Sequence, residues 1–417
     1  MFYHTGLRVV FSPYRKKYKM ELLTPPSSAR VRIAYFCVND PLDRRSWSGI
    51  TYYLGQSLQR NIGDVDFLGP VKFPSWLDKV LRGMAKFTRT VFGTEYYTKY
   101  SFLQNWYSTR YLRRKMKGKQ YDFICGPASS PALAGLDTDI PIIAVHDATF
   151  HLLSNYYKEF DKASKITKWE GEKRERRALG KSCFIVYSSH WAANSAVQDY
   201  GVPRDRILIQ PLGANMDHAP GREMIFDKEK NKELTLLYLA VEWERKGGSI
   251  AFEAMRVLHE KHGIRARLIV CGCIPPESFQ HSHLEVIPFL NKNKKDDHDK
   301  FVHLLSTSHF LILPTRADCS LLVACESNAY GMPAISTMTG GVPDVVKDGI
   351  NGYCLPYEAG GDLYADQIAE IYKDKERYHR LIVSSRDRYE EALNWDKWAE
   401  RFREVYPGVL SAHKRSS

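Results

Sequence analysis

Three observations predict an α/β chain built of two doubly wound, Rossmann-like parallel sheets facing each other across a cleft. Short apolar runs alternate with longer helical patterns along all 417 residues, the signature of βαβ units. The runs fall into two sets. VRIAYFCV (31–38), YDFICG (121–126), PIIAVH (141–146) and CFIVYSS (183–189) make one, and LTLLYLA (234–240), ARLIVCG (266–272) and HFLILPT (309–315) the other. The length exceeds what one compact core holds and suits two domains.

The strands are read from continuous apolar stretches, which parallel sheets buried on both faces require. Helical stretches lie between them, such as GGSIAFEAMRVLHEKHG (247–263), ending in a glycine suited to a left-handed cap. The seam is placed near Pro211-Leu212-Gly213, before the charged run DKEKNKE (227–233), which reads as a surface loop. This divides the chain into a flexible N-terminal extension over 1–29, a first sheet domain over 30–211, a second over 212–393, and a C-terminal helix with its tail over 394–417. A ligand cleft is expected outside the carboxyl ends of the strands.

Composition is that of a folded globular protein, 44% hydrophobic and 26% charged. No window approaches the ~20 apolar residues of a membrane span, and no leader-type apolar core opens the chain. A cytoplasmic protein, peripheral on the inner face of a membrane, is the expectation. Eight cysteines sit mostly in or beside apolar runs, as small buried hydrophobes do. Cys271-Gly-Cys273 is the only close pair and lacks partners at zinc spacing, so no metal site is expected. Asp137-Thr-Asp139, beside Pro141, reads as turn chemistry.

The net charge of +12 is uneven. Between residues 78 and 119 stand eleven Lys and Arg against Asp78 and Glu95, with nine aromatics. In DKVLRGMAKFTRTVF, apolar residues at 80, 81, 84, 87 and 91 fall near helical spacing, an interfacial pattern. A helix packed on its own domain fits equally. No nucleic-acid partner is expected, because no binding module is present.

The stretch DCSLLVACESNAYGMPAI (318–335) carries two carboxylates, Asp318 and Glu326, around the start of a helix that Gly331 and Pro333 end. Free amides and the positive end of the macrodipole there suit a phosphate. Carboxylates beside such a site suit hydroxyl groups, and a nucleotide-sugar offers both. An acid near an N-cap and a solvated helix face remain the alternative readings of these two residues.

That D-x7-E element, followed by GMPAIST, GGVPDVV and DGINGYCLP, resembles the core signature of the retaining glycosyltransferases of the GT-B architecture, family 4. The resemblance implies that Glu326 binds the ribose hydroxyls, Asp318 the donor-sugar hydroxyls, and the amides of Leu321 and Leu322 the phosphates. The family usually has glutamate where Asp318 stands and glycine where Leu321 stands. VEWERKGG (241–248) resembles its diphosphate-binding loop. Lys246 matches there, and Arg245 substitutes for an arginine usually found nearer the strand. RRSWSGITYYL resembles the glycine loop through Gly49, and PIIAVHDATF places His146 and Asp147 on the acceptor side. IPFLNKN (287–293) takes the base-binding position with backbone groups near Ile287 and Phe289, and NWDKWAERF (394–402) resembles the last helix crossing back.

The resemblance implies sugar transfer from a UDP- or GDP-linked donor to a hydroxyl of a glycan or lipid-linked acceptor, with anomeric configuration retained. Neither cofactor nor metal is implied. It favours an anionic membrane surface as partner of the 78–119 segment. A non-catalytic nucleotide-sugar-binding or assembly subunit, and a nucleotide-sugar 2-epimerase on the same fold, stay open beside it.

Overall fold

The computed structural model of the chain describes residues 30–291 and 294–416, and Val31–Ser417 form one compact unit. The extension expected over 1–29, Lys292 and Asn293 of the IPFLNKN stretch, and Ser417 lie outside the described residues.

Two six-stranded sheets, parallel throughout, organise the unit. The first holds β1 (Val31–Tyr35), β2 (Gly63–Phe67), β3 (Phe123–Pro127), β4 (Ile142–His146), β5 (Phe184–Tyr187) and β6 (Ile207–Ile209), ordered β2-β1-β3-β4-β5-β6. The second holds β7 (Leu234–Leu239), β8 (Ala266–Cys271), β9 (Leu284–Ile287), β10 (Phe310–Leu313), β11 (Ala334–Thr337) and β12 (Gly352–Leu355), ordered β12-β11-β10-β7-β8-β9. Strand order reverses between β1 and β3 in one sheet and between β7 and β10 in the other. At such switch points the connecting helices depart to opposite faces and leave a crevice open at the strand ends.

All seven apolar runs are strands. The five strands without such a run are short or polar: β2 is Gly-Asp-Val-Asp-Phe and β6 has three residues. β9, β11 and β12 have four each. Their identity comes from the neighbour they pair with rather than from their own pattern.

The segment between β6 and β7 contains the 211/212 boundary and corrects one expectation. DKEKNKE is only in part a surface loop: a 3-10 helix covers Arg222–Lys230, and Lys228 is fully buried. Its Nζ donates to the carbonyls of Ile225 and Tyr330, each at 2.7 Å. Burial lowers its pKa to about 7.

The helix Trp395–Ser416 returns to the first sheet. Trp395, Trp398, Phe402 and Tyr406 pack into one core with Ile33, Leu54, Phe123 and Val145. Their i, i+3, i+4 spacing gives a single apolar face. Ser57 Oγ donates to the Trp395 carbonyl at 2.7 Å, fixing the helix against Ile50–Asn61.

Candidate active site

The switch point of the second sheet brings together residues 72 positions apart. The loop after β7 carries Arg245 and Lys246, and the loop after β10 carries Asp318. Gly247 makes the approach possible. It has φ +74°, and a Cβ there would lie 2.0 Å from the Pro314 carbonyl oxygen. The two backbones are joined by a hydrogen bond from Arg316 N–H to the Arg245 carbonyl at 2.7 Å.

Lys246 and Asp318 form a largely buried ion pair, their side chains 15% and 12% exposed. Burial works to raise the Asp318 carboxyl, but the Lys246 charge and hydrogen bond hold it below its ordinary value, with help from the Leu321 and Ser320 amides. Those amides donate to Asp318 Oδ1 at 3.0 and 3.2 Å. Arg245 is tied down rather than solvated. It donates to the Ala317 carbonyl at 2.8 Å, pairs with Glu242 at 2.5 Å, and lies 5.5 Å from the Tyr157 ring centroid.

Leu321 stands at φ 37°, ψ 53°, the N-cap of the helix Leu322–Ala329. This left-handed conformation costs a side-chain-bearing residue about 1–2 kcal/mol, which accounts for the glycine that the resembling pattern has there. Leu321 offsets the cost by full burial, at 1% exposure. Its amide is engaged by Asp318, while the Leu322 amide opens the helix, where no intrahelical carbonyl is available. Glu326 lies one turn further in and is 5% exposed. After burial, its negative charge adds to the raised pKa of Tyr53, on the helix Ile50–Asn61 of the first half, and to those of its own neighbours Tyr330 and Cys325.

In the first half the loop after β1 contains three consecutive residues of positive φ, Trp47 (47°), Ser48 (55°) and Gly49 (91°). A Cβ on Gly49 would lie 3.0 Å from the Arg44 carbonyl and 3.2 Å from Asn215 Nδ2. Asn215 also donates to the Ser48 carbonyl at 2.7 Å and accepts from Trp395 Nε1 at 2.9 Å, which locks the loop. Among the described residues the non-glycine positions of positive φ are Trp47, Ser48, Ala128 and Leu321. All four lie beyond the ends of β1, β3 and β10, the strands at the two switch points, and backbone strain gathers at functional sites.

Trp47 Nε1 donates to Asp147 Oδ2 at 3.2 Å. Burial pushes the Asp147 carboxyl up to about 6 against that bond, and the negative charge of Asp318 adds to the rise. Asp147 and Asp318, from opposite halves, thus share one neighbourhood. His146 ends β4, its Nε2 2.8 Å from Ser130 Oγ, and burial lowers its pKa to about 4. It is a neutral imidazole at neutral pH.

Behind it Glu175 is buried, and burial pushes its carboxyl up to about 8 against a hydrogen bond from Ser130. Because the folded value lies above the ordinary 4.5, the stability this group contributes is complete below that value and is lost as pH rises toward 8. Glu175→Gln keeps the shape and removes the titration. The variant should match the parent Tm near pH 4 and exceed it by several degrees at pH 8, measured by thermal unfolding.

Two tyrosines outside the sequence-derived candidates close the site from the first half. Tyr156 Oη accepts from Asp318 N–H at 3.1 Å and is hydrogen-bonded to Thr339 Oγ1 at 2.7 Å. Tyr157 Oη lies 3.1 Å from Cys319 Sγ. His190 completes the contact, its backbone N–H donating to Asp344 Oδ2 at 2.7 Å. The signal for the tyrosines was the NYYKEF run soon after His146-Asp147, but aromatics near a strand end are indistinguishable from core without the opposing sheet.

Ile287 and Phe289 stand apart from this cluster. Ile287 ends β9 and Phe289 follows it; this edge strand is three positions from β10, which is roughly 15 Å at the usual strand spacing. The Ile287 carbonyl accepts from Gly272 N–H at 3.0 Å, and Phe289 is 66% exposed. Val241 and Ile274, beyond the ends of β7 and β8, are also strongly exposed. Asp137 is occupied by Lys181, Arg113 and Arg177, and among the described residues no cluster of three metal-ligating side chains is present.

The chain matches two family models, Glycosyltransferase Family 4 over residues 50–218 and Glycosyl transferases group 1 over residues 222–388. It is 22% identical to a D-inositol 3-phosphate glycosyltransferase of Corynebacterium aurimucosum over 66% of this chain and 67% of that one. The chain spans about half the length of the curated relatives it matches. Its fold is that of the sucrose-phosphate synthase of Thermosynechococcus elongatus (TM-score 0.65, 15% identity, 92% of this chain and 100% of that one). It is likewise that of Anabaena Alr3699/HepE in complex with UDP-glucose (TM-score 0.59, 10% identity, 91% and 100%). With both halves of the chain matched and two parallel sheets meeting at their switch points, this protein belongs to the group 1, family 4 glycosyltransferases of the GT-B architecture.

Proposed function

We propose that this protein transfers a sugar from a UDP- or GDP-linked donor to a hydroxyl of a glycan or lipid-linked acceptor, with retention of anomeric configuration. The observation that carries the reading is the buried Lys246–Asp318 pair at the β7/β10 switch point, with Glu326 on the helix just behind it. The extended span from Phe289 to Asp318 suits a nucleoside diphosphate sugar, and a chain of the same fold bound to UDP-glucose supports a UDP-linked donor. In this reading the base lies near Ile287 and Phe289, and Glu326 accepts hydrogen bonds from the ribose hydroxyls. Lys246, Arg245 and the Leu322 amide meet the diphosphate, and Asp318 turns from Lys246 to the donor-sugar hydroxyls.

The bond from the anomeric carbon to the phosphate oxygen breaks while the acceptor oxygen bonds that carbon from the same face. The acceptor proton passes to the departing phosphate. Lys246 and Arg245 stabilise the charge that develops there, so the reaction needs no metal or resident cofactor. His146, held neutral, and Asp147 line the acceptor side.

Calorimetric titration with UDP, GDP and ADP tests the reading. Selective binding of one nucleotide names the base and directs the choice of donor for turnover assays. A folded protein that binds none of them refutes it, and binding without turnover on any acceptor points to the non-catalytic alternative.

A further inference from the structure

The chain passes between the two halves twice, in the segment after β6 and again at the start of the helix Trp395–Ser416, and the two crossings touch. Ala214 N–H donates to the Leu393 carbonyl at 2.8 Å, and a Cβ on Gly213 would lie 2.5 Å from Trp395 N. Asn215 is buried at this junction, at 6% exposure. Its Oδ1 accepts from Trp395 Nε1 and its Nδ2 donates to the Ser48 carbonyl, so one side chain joins both crossings to the loop after β1. Each partner has a single role, an indole N–H that donates and a carbonyl that accepts, which gives the amide one orientation. Two residues on, Asp217 meets Arg44 of the same loop at 2.8 Å, and that guanidinium lies 4.7 Å from the Tyr52 ring centroid.

These contacts hold a loop whose shape is unfavourable by itself. Trp47 and Ser48 are both left-handed, a conformation disfavoured for residues with a side chain. Trp47 passes the constraint on, because its Nε1 donates to Asp147 Oδ2 across 3.2 Å. Released from Asn215, the left-handed pair relaxes toward the commoner backbone regions. The indole then turns away from Asp147.

We propose that Asn215 is a positioning residue for the transfer reaction: from the junction of the two crossings it fixes Ser48, and through Trp47 it places the Asp147 carboxyl toward the acceptor substrate. Its bearing on the acceptor rests on the sugar-transfer reading, whereas the placement of Asp147 is independent of it.

Heteronuclear NMR of the full chain with isotope-labelled tryptophan tests this, the Trp47 indole being identified by its absence in Trp47→Phe. The groups that interact electrostatically with Asp147 are Asp318, held below its ordinary value, and Tyr100, Tyr157 and Cys319, all pushed up by burial. None of them titrates where Asp147 does, at about 6. The Trp47 resonance should therefore titrate near pH 6 in the parent and not in Asp147→Asn. In Asn215→Ala it should shift and lose that titration. There kcat should fall at least about tenfold, as misplaced groups cost, with nucleotide affinity unchanged because Lys246 and Glu326 stay in place. Should that variant not fold, Asn215→Asp carries the test: it keeps the shape and the bond from Trp395, and its carboxylate displaces the Ser48 carbonyl at pH 8. Three results overturn the proposal: a Trp47 resonance indifferent to Asp147→Asn, folded Asn215 variants that keep the parent titration, or a fall in kcat with the resonance unmoved. The resonance is read without turnover, so an inactive parent counts against the transfer reading alone.

Discussion

Replacing Lys246 by alanine should reduce turnover by about 10²–10³, the loss typical of removing one group that stabilises developing charge, and should also destabilise the fold. The second effect follows from Asp318. Its carboxylate is largely buried and depends on the Lys246 ammonium, and a buried charge stripped of its partner costs about 3–5 kcal/mol. In the parent the Asp318 pKa is depressed, so the stability it contributes is present above the ordinary carboxylate value and is lost as pH falls through the lower folded one. In Lys246→Ala burial dominates and the sign reverses. The pKa rises above the ordinary value, and the variant becomes less stable as pH rises through it. The double variant Lys246→Ala/Asp318→Asn should recover most of the melting temperature and none of the activity. Denaturation at pH 4 and pH 8, beside steady-state rates, separates the two roles. Full activity in the double variant would remove the pair from the mechanism.

The second large effect is on binding. Glu326→Ala should weaken nucleotide affinity about 10- to 100-fold, the range expected when hydrogen bonds to a charged acceptor are lost. Glu326 is buried within the helix Leu322–Ala329. Titration of parent and variant with the selected nucleotide measures the change, and circular dichroism shows that the helix persists. Unaltered affinity in a folded variant would end the ribose role of Glu326.

Much of the site was legible because it lies where strands end. Continuous apolar runs located β7 and β10, so Lys246 and Asp318 could be placed in the loops after them before any coordinates. That the two loops touch follows from the strand order, which sets β7 against β10, and no local pattern reports a neighbour three strands later in sequence. Leu321 illustrates the same limit. The departure from glycine was visible, but its left-handed backbone and compensating burial were not. Lys228 is the opposite case, a lysine in a charged run that two carbonyls draw into the interior.

By itself, then, the sequence determined the α/β class, the long strands and the helical stretches between them. Those features depend on hydrophobic periodicity and local chain chemistry, which act between residues near in sequence. The tertiary structure alone decided the short strands, the pairing of Lys246 with Asp318, the neighbourhood of Asp147 and Asp318, and the closure by Tyr156 and Tyr157. It also decided which face of the Ser75–Phe92 helix remains uncovered. Each of these depends on which segment comes to lie opposite, and on the burial and charge that the opposing segment imposes.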